Sequence, residues 1–87
     1  MENQGKRPPP PASLEERCAA AAQRFGLTPR ESEILVLLAK GRTIAIIARD
    51  LQIAKGTART HTERIYRKLD VHKQQELIDL VEHTDIP

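Results

Sequence analysis

Five side chains able to hold a polyanion, Lys55, Arg59, Arg64, Arg67 and Lys68, fall within the stretch Ala54 to Leu69, AKGTARTHTERIYRKL. The single acid there is Glu63, so the stretch carries five positive charges against one negative, a net +4. Wound as a helix at about 100° per residue, it divides into two faces. Ala58, Thr62, Ile65 and Leu69 line one side, while Gly56, Thr60, Glu63 and Arg67 point the other way, flanked by Arg59 and Arg64. One face suits a small apolar core and the other a surface dense in negative charge. Cations clustered on one helical face are the electrostatic footprint of phosphate binding.

Other chemistry is poorly provided for. His61, His72 and His83 lack the close spacing of metal ligands. Cys18 is the single cysteine, so no intrachain disulfide exists, and its alanine-rich surroundings read as packing. No Gly-rich phosphate loop occurs. The two large aromatics, Phe25 and Tyr66, are too few for base stacking along single strands. No signal peptide is visible, and no apolar run approaches the ~18–20 residues of a membrane span. These features point away from an enzyme, a cofactor or a metal, and towards a reducing cytoplasm. The 87 residues make one small domain with no room for a deep pocket.

The elements that position the basic stretch are legible from their caps. Residues 1–12, with Lys6, Arg7 and Pro8 to Pro11, read as a flexible Pro-rich linker or tail, or as a proline-recognition ligand. Residues 13–87 form the domain. Ser13 and Glu16 have capping-box spacing, the alanines at 19–22 favour helix, and Gly26 offers a left-handed stop. Thr28-Pro29-Arg30-Glu31 is a stronger start: a cap, a proline at the first helical position and a capping-box Glu. The apolar run Ile34 to Ala39 follows, and Gly41 is expected to end that helix. Thr43 caps a short helix in which Ile44, Ile47, Ala48 and Leu51 share a face, and Gln52-Ile53-Ala54 connects it to the basic helix. A last helix is expected from about Lys73 to Glu82. Nothing alternates with period two, so the fold class is all-α. The charge map has the same layout: the net charge is +2 overall, but residues 70–87 hold five acids against one base, a net −4.

The segment from Leu27 to about Val81, within a core motif of 27–82, resembles the LuxR/GerE-type helix-turn-helix. The matching pieces are Leu27-Thr28-Pro29-Arg30-Glu31, Gly41 with Thr43, Ile47-Ala48, Leu51-x-Ile53, Thr57-x-Arg59-x-His61, Ile65, Lys68-Leu69-x-Val71 and Leu77. The resemblance implies a four-helix helix-turn-helix domain, here with an additional N-terminal helical segment. Its third helix, about 55–69, would enter the major groove of double-stranded DNA. It further implies the output domain of a bacterial transcription regulator, usually C-terminal to a sensor or receiver domain. This chain has no room for one, so it reads as an excised domain or as a stand-alone regulator.

The family's base readers map onto Arg59, Thr60 and Glu63, which agrees with the division of faces. Arg59 could pair with guanine O6 and N7, and Thr60 could touch a thymine methyl. Glu63 could accept from cytosine N4, or simply pair with Arg67 one turn on. Phosphate contacts are expected from Thr43, Lys55, Thr57, Arg64, Arg67 and Lys68. For the two threonines, capping is an equal reading, since both lie near helix N-termini; for Arg67 and Lys68 it is a solvated position. His61 reads as a packed histidine that helps to set the helix.

Several positions depart from the family. Ile44-Ala45-Ile46 replaces a polar run, leaving Ile46 on a side of its helix that cannot turn inward. Ala54 stands where a capping serine is usual, a loss of roughly 1 kcal/mol if uncompensated. Ala58 replaces valine, Asp70 a frequent glycine and Gln74 a frequent arginine. On the last helix, Leu77, Leu80 and Val81, with Ile78, span a broad apolar arc. It is either a deeply seated helix or the interface of a weak homodimer, which would favour a palindromic operator. Two rival readings remain: a sigma-factor-like helix-turn-helix, and a protein-interaction module that has lost DNA binding.

Overall fold

The computed structural model describes residues 12–86, and the proline-rich tail at residues 1–11 lies outside them. Five helices follow one another: α1 Leu14–Phe25, α2 Pro29–Ala39, α3 Ile44–Leu51, α4 Lys55–Leu69 and α5 Gln74–Glu82. No strand occurs among the described residues.

Local chemistry sets most boundaries. Ser13 accepts from the Glu16 amide at 3.1 Å while Glu16 accepts from the Ser13 amide at 2.8 Å, closing the expected box. Thr28 and Glu31 do the same at the start of α2, at 3.1 and 2.9 Å. Gly26 ends α1 with φ 68°, in the left-handed region that glycine enters without strain. Helix α2 ends at the expected glycine. Lys40 is its C-cap, and Gly41, at φ 83°, turns the chain away. Thr43 caps α3 by accepting from the Ile46 amide at 3.2 Å. Lys73 is the N-cap of α5 rather than its first residue.

The core gathers around α2, which packs against each of the other four helices; α1 also packs on α5, and α3 on α4. Ile34, Leu35, Leu38, Ile47, Ile65, Leu77 and Val81 are its largest fully buried apolar side chains. Each withdraws apolar surface worth about 1.5–3 kcal/mol from water. Cys18, Ala21, Ala48 and Ala58 let the backbones approach closely. Burial pushes the Cys18 thiol up to about 11, with the nearby Glu15 charge adding to the rise, so it stays protonated at neutral pH. The reading of Cys18 as a packing residue agrees with this. Ile44 is half-buried against the core. Ile46 is half-covered too, against the expectation of full exposure, but it makes no part of the core cluster.

Candidate nucleic-acid interface

Helix α4 has the two faces its sequence sets out. Ala58, Thr62, Ile65 and Leu69 are buried, at 0, 5, 0 and 2 % exposure. Lys55, Gly56, Thr57, Arg59, Thr60, Glu63, Arg64 and Arg67 are all exposed. Thr62 settles its hydroxyl inside by donating to the Ala58 carbonyl at 2.8 Å. The packed face is thus apolar or satisfied, and the polar side chains have nowhere to go but outward.

The angle at which α4 leaves α3 is set by Gln52. This residue is left-handed, at φ 56°, and its neighbour Ile53 donates to the Ala48 carbonyl at 3.0 Å. That bond closes the end of α3 and leaves Ile53 half-buried against the core. Ala54 then starts α4 with no side-chain cap, and its first turn holds no acid. Among the described residues, the first-turn amides and the positive end of the helix dipole therefore have no side-chain cap or first-turn acid to compensate them.

Among the described residues, Lys55, Arg59, Arg64 and Arg67 form no ion pair. Glu63 forms none either, so the alternative pairing with Arg67 is not made. Glu63 and Arg67 instead rim an open depression with Tyr66, Asp70, Val71 and His72. His61 is half-buried, and its enclosed Nδ1 has no hydrogen-bond partner among the described residues.

Two groups of expected site residues have partners within the chain itself. Lys68 was expected to meet phosphate. Its ammonium instead donates to Glu31 Oε1 at 2.8 Å and to the Gly26 carbonyl at 3.2 Å. Glu31 is only 2 % exposed. Burial by itself would raise its carboxyl, but the Lys68 ammonium and the Thr28 amide and hydroxyl outweigh that and hold it below the ordinary range. Lys68 thus ties α4 to the start of α2. Leu77 and Val81 were expected at a dimer contact, yet both are 0 % exposed within the single chain. Helices α1 and α2 pack against α5, so these two side chains serve the domain's own core. Leu80 and Ile78 remain half-exposed.

The contacts or exposure of three further positions escape the sequence reading. Gln74 donates to the Leu38 carbonyl at 3.0 Å and to the Arg42 carbonyl at 2.9 Å, satisfying the end of α2 and the loop before α3. Arg42, exposed beside Thr43, forms no ion pair among the described residues. It sits in a loop, where no periodicity could single it out. Arg17 donates to the Thr84 carbonyl at 2.9 Å and so fastens α1 to the end of α5.

Comparison with known proteins agrees with this arrangement. Residues 26–81 match the family described as GerE: bacterial regulatory proteins, luxR family. The uncharacterized response regulatory protein YgeK of Escherichia coli K12 is 44 % identical over 70 residues, covering 76 % of this chain and 48 % of the relative. The transcriptional regulatory protein DesR of Bacillus subtilis 168 is 38 % identical over 74 residues, covering 85 % of this chain and 36 % of the relative. The chain thus spans about half the length of these relatives or less. No solved structure matched.

Proposed function

Because the chain belongs to the luxR family of bacterial regulatory proteins, we propose that it binds duplex DNA in a sequence-specific manner as the output domain of a transcription regulator. The observation that carries this reading is the exposed face of α4, which holds four cations without ionic partners among the described residues. Arg59, Thr60 and Glu63 read base edges. The free carboxylate of Glu63 suits a cytosine N4 donor. Lys55, Thr57, Arg64 and Arg67 hold phosphates, joined by Thr43 and its neighbour Arg42. Lys68 is left out of that set, because its ammonium is committed to Glu31.

Fluorescence anisotropy with labelled duplex DNA across a salt series tests the proposal. Four phosphates neutralised by Arg42, Lys55, Arg64 and Arg67 give a slope of log K against log salt of about −3.6 for each bound domain. An absence of binding at low salt would leave the interaction-module reading in its place.

The similarity to a protein named as a response regulatory protein supports an N-terminal sensor or receiver domain in the full-length protein. A weak homodimer through Leu80 and Ile78 would set two recognition helices about one DNA turn apart, on a palindromic operator. Leu80→Glu is then expected to lower affinity for a two-half-site duplex far more than for a single half-site. Equal losses would count against the dimer.

A further inference from the structure

Three of the chain's glycines lie among the described residues, and two of them are explained by their backbone. Gly26 and Gly41 have φ of 68° and 83° and turn the chain where a side chain would be strained. Gly56 has no such reason. It lies in the first turn of α4 with ordinary helical geometry, and a Cβ built there meets nothing within 4 Å. Glycine weakens a helix relative to alanine. The fold therefore gains nothing from the missing side chain, in conformation or in packing.

What the position does have is a place on the exposed face. Gly56 stands one turn before Thr60 and two before Glu63, opposite the buried stripe of Ala58, Thr62 and Ile65. Its sequence neighbours Lys55 and Thr57 are the phosphate contacts of the function proposed above, on which this inference rests. We propose that Gly56 is a positioning residue for DNA: its bare backbone lets the sugar–phosphate strand approach α4 more closely than any side chain would allow. That approach seats Arg59 and Thr60 at the depth from which they reach base edges. A methyl group at residue 56 fills space that is empty in the free domain and occupied in the complex.

The inference makes stability and binding move in opposite directions. Gly56→Ala is expected to raise the thermal midpoint of the chain by about 2–6 °C. It is also expected to weaken binding by at least about fivefold, the effect of forcing a methyl into a filled contact. Gly56→Gln should weaken binding further. Binding is read by anisotropy on a labelled mixed-sequence duplex at low salt, and on a duplex selected from a random pool. Losses on both duplexes, larger on the selected one, support contact with the backbone strand that seats the base readers. A loss confined to one base pair of the selected duplex would overturn that assignment, and so would a Gly56→Ala chain that is more stable and binds as the parent does. A lowered thermal midpoint would show that the fold itself needs the glycine. If the parent chain binds neither duplex, the DNA reading falls and this inference falls with it.

Discussion

The two ends of α4 are built differently, and the difference separates what holds the helix from what the helix presents. At its C-terminal end, Asp70 adopts the left-handed conformation, at φ 56°, and Val71 donates to the Tyr66 carbonyl at 2.9 Å. Leu69 is buried, and Lys68 reaches the buried carboxylate of Glu31. At its N-terminal end, Ala54 offers no cap, Gly56 has no side chain, and Lys55 has no ionic partner among the described residues. One end is fastened to α2 by charge and packing, and the other is left bare and positive. A reading helix needs both. The fastened end fixes its orientation, and the bare end keeps its donors for another molecule.

The largest expected effect falls on the fastened end. Glu31→Ala removes the acceptor shared by the Thr28 amide and the Lys68 ammonium. It is expected to destabilise the chain by about 2–4 kcal/mol, the scale for breaking a buried charged contact. Denaturant unfolding measures it, and a change near zero would show that the tie does not anchor α4. The same contact predicts a pH dependence. The carboxyl of Glu31 is lowered from its ordinary value of 4.5 on folding. Its contribution is therefore complete above that value and drains away as pH falls through the lowered folded value. Glu31→Gln should flatten the stability profile in that acidic window, and an unchanged profile would assign the acid sensitivity to other carboxylates.

At the bare end, Arg59→Ala should leave stability near the parent's and remove about 1–3 kcal/mol of discrimination at one base pair. Selection of bound duplexes from a random pool reads this directly, as one position of the preferred site that becomes degenerate. Unaltered preference would move base reading away from Arg59. Lys68→Met then sets the two ends against each other in one residue. It keeps the apolar stem and deletes the ammonium. The expected loss is about 1–2 kcal/mol of stability, because Glu31 stays buried without its cation. The salt dependence of DNA binding should be unchanged, whereas a phosphate contact would flatten the slope by about 0.9.

The two ends also differed in how readily the sequence disclosed them. The buried stripe of α4 and the caps Ser13, Thr28 and Thr43 were legible because each is a local pattern, complete within one or two turns. The tie from Lys68 to Glu31 was not legible because Glu31 lies 37 residues away, and a cation on a basic helix carries no sign of where its ammonium is spent. Gln74 was noted as a departure from the family, but its reach to Leu38, 36 residues back, follows only from the packing of α2 against α5. The arc on α5 was visible and its occupant was not. Periodicity shows that Leu77 and Val81 are covered by something, and α1 and α2, packed on α5, fill that role within one chain.

The smallest expected effect tests how much of the bareness at the start of α4 is useful. Ala54 already has the extended backbone of an N-cap, at φ −66° and ψ 148°, and lacks only an oxygen to accept an amide. Ala54→Ser supplies it, and the hydroxyl should accept from the Thr57 amide. The expected gain is about 0.5–1 kcal/mol, read as a higher thermal midpoint. Binding separates two roles for the first-turn amides. If DNA is held there by the Lys55 and Thr57 side chains across the clearance at Gly56, affinity stays at the parent level while stability rises. If a phosphate instead takes the Thr57 amide itself, serine competes for that donor, and affinity falls even as the free domain becomes more stable.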